Sequence, residues 1–323
     1  MSSFFNTMLK SKTAKEVATL TPQVMPTTYP EVSLTNLPNV DGIYECEETD
    51  VLNFENVCLS FPTDKGEFKL FDNFNLDIKD FKHKGQFISI MGASGSGKSQ
   101  ILKLIAGLNK PNSGKVKVYG KVRTDSDSIP MVFQQYSSYP WMTVLENVSL
   151  PLKLHGIKES DKLQGESDAE AIKRIAMEMI KVVGLEGHEN KYAQYPTLSG
   201  GQLQRVSLAR NLVYSSQILL LDEATGALDI FAKREMQDAL MNVYYDSEFD
   251  STILNVTHDI QEACYLSNRL YILEPNPCRI YKVIDINYNV TRRDQSIKET
   301  SQFAEYVRQV EQAMEEIELK NRN

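Results

Sequence analysis

The sequence predicts an α/β protein on a mainly parallel sheet. Short apolar strand-like runs alternate with helical stretches along most of the chain. One such run, residues 86–91, leads through a glycine-rich turn into a helix over 98–107. Another, residues 218–221, ends in the acid pair Asp222-Glu223. Strands that alternate with helices pair in parallel, because each crossover returns the chain to the same edge. The earliest runs are 51–61 and 68–78. Residues 116–119 and 130–133 follow, and strand signals return at 217–221, 252–256 and 269–273. Between them residues 140–197 are helix-rich, with a polar connection at 158–169, and read as an inserted helical subdomain. No internal repeat is visible.

The 323 residues are 41% apolar and 24% charged, ample for a buried core. A net charge of −8 argues against a nucleic-acid binder working through a broad basic face. No apolar run approaches the roughly 18 residues of a membrane-spanning helix, and no secretory leader is visible. The expected location is cytoplasmic, so any membrane role needs a partner chain. Cys46, Cys58, Cys264 and Cys278 lack CxxC spacing and read as free thiols. His83, His155 and His188 fit loops or surface; His258 belongs to a motif.

Residues 1–50 read as an N-terminal arm, partly disordered or docked on a partner. Prolines 22, 26, 30 and 38 recur there, and residues 41–50 are acidic. Phe4, Phe5, Met8 and Leu9, followed by Lys10, Lys12 and Lys15, leave a short interfacial helix as the alternative. Residues 51–290 form the main domain. Residues 291–323 form a helical tail from about residue 297, with Phe303, Val307, Val310, Met314 and Ile317 on one face. That face is expected to pack on its own core; a dimer or regulatory contact is the alternative.

Gly92-Ala93-Ser94-Gly95-Ser96-Gly97-Lys98-Ser99 fits the P-loop pattern G-x-x-x-x-G-K-[ST]. It sits between strand and helix, as the chemistry demands. Glycines let backbone N–H groups turn inward around phosphates, and the helix N-terminus adds a favourable dipole. Lys98 is placed to reach the β- and γ-phosphates, and the Ser99 hydroxyl to bind Mg²⁺. Asp222 and Glu223 end an apolar strand in a Walker B pattern. Asp222 is expected to hold Mg²⁺, and Glu223 to orient and deprotonate the attacking water.

Leu198-Ser199-Gly200-Gly201-Gln202, continuing to Arg210, resembles the signature motif of the ABC (ATP-binding cassette) family. Physically it is a second anion-binding helix start. The resemblance covers about residues 52–290. It implies a P-loop fold with an antiparallel β subdomain beside the parallel core, and ATP and Mg²⁺ as ligands. Within it Gln134 resembles the Q-loop glutamine, a metal and water contact that couples to the membrane subunit. Asp229 resembles the D-loop aspartate, and His258 the switch histidine facing the γ-phosphate. Phe61 resembles the aromatic that stacks on adenine, with Phe68 as second candidate. Gln100 stands where the family has a Thr that contacts the α-phosphate.

The resemblance further implies a head-to-tail pair. Each ATP then lies between one chain's P-loop and the signature, Ser199 to Gln202, of a second ATPase subunit. Separate membrane permease subunits, and a substrate-binding protein in an importer, are the other expected partners. Residues 131–152, residues 226–229, residues 257–263 and the pair Arg292-Arg293 resemble importer ATPases for nitrate, bicarbonate, taurine and alkanesulfonates. Ala224-Thr225 in place of Pro-Phe, and Asn268 in place of Asp, depart from them. The alternatives are an exporter ATPase for lipid or peptide, a soluble ABC protein, and a regulatory cassette without turnover.

Overall fold

The computed structural model describes residues 48–64, 66–81, 85–123, 129–214, 217–245, 251–288, 290 and 292–322. The arm expected over residues 1–50 lies outside the described residues, apart from Glu48, Thr49 and Asp50, which open the first strand. Cys46 and His83 lie outside them as well.

β1 (Glu48–Thr63) and β2 (Gly66–Phe81) form a long antiparallel hairpin, which β4 (Ser113–Val118) and β5 (Lys121–Val122) extend on the β1 side. The larger sheet contains β3 (Phe87–Gly92), β6 (Met131–Val132), β7 (Ile218–Asp222), β8 (Thr252–Val256), β9 (Arg269–Glu274) and β10 (Arg279–Asp285). Its order is β10-β9-β3-β8-β7-β6, parallel throughout except for the β9–β10 pair. The mainly parallel core and the antiparallel unit are thus both present. The sequence reading missed β10 because its residues are mostly exposed or half-buried, so no apolar run marks it.

The central strands are buried on both faces. In β3, Phe87 and Met91 enter one core, and Ile88 and Ile90 the other. β7 divides likewise, Leu219 and Leu221 against Ile218 and Leu220. Period-two alternation requires this split, and a parallel sheet covered on both sides needs apolar residues in both registers. One core joins the sheet to most of the helices. The other joins it to the β1–β2 hairpin and to α1 (Lys98–Ala106).

α2 (Val144–His155), α3 (Asp168–Val182) and α4 (Gly200–Leu212) pack on one another. Each opens with a capping box: Thr143 with Glu146, Ser167 with Glu170, Ser199 with Gln202. In each box the side chains satisfy two backbone N–H groups that have no partner inside the helix. α5 (Ile230–Tyr245), α6 (Ile260–Leu266) and α7 (Ser301–Arg322) complete the chain. A 3₁₀ turn at Gln295–Glu299 precedes α7, so the helix begins four residues later than the sequence suggested. Its apolar face packs on α6 and β9, burying Phe303, Val310, Ala313 and Ile317. Among the described residues no helix is long and apolar enough to cross a membrane.

Ile317 is 1% exposed and Leu319 is 62% exposed. Ile317→Ala is expected to lower stability by about 2–3 kcal/mol, and Leu319→Ala by less than about 0.5 kcal/mol, measured by urea unfolding.

Candidate functional site

Residues from β2, β3, α1, β7 and β8 meet at the carboxyl edge of the parallel sheet, where open α/β folds bind ligands. They line a cleft of about 540 Å³. Its floor is the turn between β3 and α1. Gly95 and Gly97 sit there at φ of +78° and +95°. At Gly97 there is also no space: a Cβ would lie 2.8 Å from Phe71 Cε1 in β2. The turn can therefore pass close to the hairpin only with glycine at 97.

Lys98 is buried at the start of α1 and donates to Gly92 O at 2.8 Å and Ala93 O at 3.0 Å. Burial pulls its pKa below the ordinary lysine value, against the pull of the Glu223 and Asp222 carboxylates. Ser99 Oγ donates to Asp222 Oδ1 at 2.8 Å. Burial pushes the Asp222 carboxyl above its usual range, and the Ser99 bond only partly opposes this. Glu223 turns at φ +49°, a region that side-chain-bearing residues rarely adopt, and its N–H is held by Val256 O at 2.9 Å. Its Oε2 lies 3.3 Å from His258 Nδ1. Phe61 and Phe68 face each other across β1 and β2, and both line the cleft with Gln100.

The P-loop, the two acids and His258 therefore come together, 166 residues apart at the extremes (Gly92 to His258). Gly92, Ser94, Gly95, Gly97, Lys98 and Ser99 line the cleft, as do Glu223 and His258. Ala93 stays in the loop as an acceptor for Lys98 and for Ser96 N–H. Ser96 is fully buried, and its Oγ has no partner.

Other expected site residues stand apart. Gln134 is exposed and does not line the cleft; its Nε2 lies 3.5 Å from where a Cβ on Gly226 would be, beside the Glu223 turn. Asp229 caps α5, accepting from Phe231 and Ala232 N–H groups at 2.9 Å each. Ser199, Gly200, Gly201 and Gln202 open α4 away from the cleft, and Gln202 Nε2 also meets His188 Nε2 at 3.1 Å. Gly201 is there for packing: a Cβ would lie 2.6 Å from Ala232 Cβ in α5. Within one chain, the two helix N-termini of anion-binding type do not share a pocket.

The residues present fit a phosphate ester with a hard cation. The loop offers the helix N-terminus and an ammonium held only by carbonyls of that loop. Ser96 Oγ is a buried polar atom still to be satisfied. Ser99 and Asp222 present adjacent hard oxygens. Among the described residues no cluster of three or more His, Cys, Asp or Glu could hold a metal by itself. A cation that takes one carboxylate, a hydroxyl and substrate phosphates, as Mg²⁺ does, matches that donor set.

The family model described as ABC transporter matches residues 71–226. An uncharacterized ABC transporter ATP-binding protein of Methanocaldococcus jannaschii is 36% identical over 271 residues, covering 84% of this chain and 93% of that protein. The nitrate import ATP-binding protein of Synechocystis sp. is 37% identical over 248 residues, 75% and 86% of the two chains. The dimeric structure of a bacterial ABC transporter cassette superposes with a TM-score of 0.58 at 31% identity, over 73% of this chain and 99% of that one. The chain belongs to the ABC transporter family, as an ATP-binding subunit.

The left-handed backbone at Glu223 implies stored strain of about 1 kcal/mol. Glu223→Gly is expected to raise unfolding stability by about 0.5–1 kcal/mol, measured by urea unfolding in nucleotide-free buffer.

Proposed function

We propose that this chain hydrolyses ATP in the cleft and drives separate permease subunits that import a small anion such as nitrate, bicarbonate or a sulfonate. One observation carries the hydrolytic part: Glu223 and His258 stand in contact directly beside the Lys98–Ser99–Asp222 group. The triphosphate seats on the turn, where Lys98 exchanges its two carbonyl partners for phosphate oxygens. Ser96 Oγ gains an acceptor or donor there. Phe61 stacks on the adenine, with Phe68 flanking. Glu223 accepts the proton of the attacking water, and His258 holds the γ-phosphate and the carboxylate in line. Mg²⁺, held by Ser99 and Asp222, supplies charge neutralisation on the phosphates when bound.

The separation of Ser199–Gln202 from the cleft supports a composite site. Each chain then lends its α4 N-terminus to the nucleotide of a second copy, with Asp229 and Gln134 at the junction. A solved dimeric cassette bound to ADP and Pi, 31% identical with a TM-score of 0.59 over 73% of this chain and 99% of that one, supports the same arrangement. The importer reading rests on relatives named for import. Besides the nitrate protein, these include an aliphatic sulfonates import ATP-binding protein of Bacillus thuringiensis, 34% identical over 246 residues, 76% of this chain and 90% of that one. On this reading the chain docks on permease subunits at the cytoplasmic face of a membrane, and a substrate-binding protein selects the anion.

Glu223→Gln is expected to bind ATP with affinity within about twofold of the parent and to lose more than about 100-fold in turnover. ATP-dependent dimers are expected to accumulate in size-exclusion chromatography. Turnover at the parent rate overturns the assignment of the base. Pull-down of the tagged chain from detergent-solubilised membranes tests the transport part. A multi-span permease in the eluate supports it; a dimer without any membrane partner moves the function to a soluble ABC ATPase.

A further inference from the structure

Next to Glu223 and His258 in the chain lies a cluster of buried and half-buried polar side chains that the chemistry above does not use. Glu262 in α6 is 1% exposed. One oxygen of its carboxylate accepts from Thr225 Oγ1 and from Gln237 Nε2 at 3.2 Å, and the other from Asn255 Nδ2 at 3.4 Å. Lys233 Nζ lies 3.6 Å from Glu262 and 2.5 Å from Asp259. Asp259 caps α6 through the Glu262 N–H at 2.9 Å, and its own N–H donates to Thr257 Oγ1 at 3.1 Å. Lys298 Nζ donates to Gln237 Oε1 at 2.9 Å and sits 4.4 Å above the Tyr265 ring.

Four chain segments meet in this cluster. Thr225 lies two residues beyond Glu223, and Asp259 follows His258 directly. Lys233 and Gln237 come from α5, and Lys298 from the 3₁₀ turn ahead of α7. Burial works against the Lys233 charge, yet Asp259 and Glu262 hold its pKa above the ordinary lysine value. Apolar side chains fill such a space at lower cost than a buried carboxylate does. What a carboxylate adds is direction, since each of its bonds fixes an angle between segments.

We propose that Glu262 is a positioning residue for hydrolysis. Its carboxylate holds the Glu223 turn through Thr225 and meets Lys233, which also pairs with Asp259 beside His258 and so links the two loops. Lys298 ties the C-terminal segment into the same network. The proposal rests on the hydrolytic reading above and adds the device that keeps base and histidine in register.

Thr225→Val tests it, because the change removes one donor at nearly constant volume. In the full-length chain kcat is expected to fall about tenfold, as a misplaced catalytic group requires. ATP affinity by equilibrium binding is expected to stay within about twofold, and Thr225→Ser to restore kcat. Lys298→Met is expected to lower kcat by a smaller factor with affinity again unchanged, and it serves as the second variant should Thr225→Val fail to fold. Parent-like kcat in Thr225→Val, or in Lys298→Met where Thr225→Val does not fold, overturns the proposal. So does a loss of kcat that Tm and affinity match in proportion, which marks a merely structural role. Glu223→Gln in the same assay separates the two levels. If it retains turnover, the hydrolytic reading fails. If it loses turnover while Thr225→Val keeps it, only the positioning role fails.

Discussion

The site depends on one constraint, the parallel pairing of β8 with β3 on one side and β7 on the other. Val256 is level with Ile90 in the first pair and with Asp222 in the second. Gly92, Glu223 and His258 each follow that line within two residues. The ladder even continues past the strands, since Glu223 N–H bonds to Val256 O. A slip of one residue in either pairing turns every side chain of that strand to the other face. Because both faces are buried, apolar packing fixes the register, and the register fixes the chemistry. The Ser99–Asp222 bond then closes the cleft across 123 residues of sequence.

Local motifs alone place each group on the right type of element, but the approach of one element to another is a packing property. The hairpin is an example. Phe71 presses on Gly97 from β2, so a sheet to which neither acid belongs limits how tightly the turn can curl. Gly201 and Ala232 make a similar close contact between α4 and α5. Two glycines that read as phosphate-binding residues thus also allow close packing.

Much of this was legible in the sequence. The strand-turn-helix around Lys98 and the acid pair after an apolar strand carry their own periodicity, and β3, β7 and β8 came out within a residue or two. β10 was not legible, because an edge strand with little burial lacks the apolar pattern. Asp229 as the cap of α5 was hidden behind its motif, although an Asp just ahead of a helix is a common start signal. The Glu262 cluster was invisible for a different reason. Its members lie at positions 225, 233, 237, 255, 259, 262 and 298, and no spacing joins them until the chain folds.

The two bonds from Lys98 to Gly92 O and Ala93 O act as an internal rival to any ligand. A ligand that takes the ammonium must displace these carbonyls, so its apparent affinity scales with the fraction of time the lysine spends away from them. On the proposed binding mode a polyphosphate also engages the helix N-terminus and Ser99, contacts that these carbonyls do not contest. In that mode the lysine is therefore a self-held latch, which an incoming phosphate has to open.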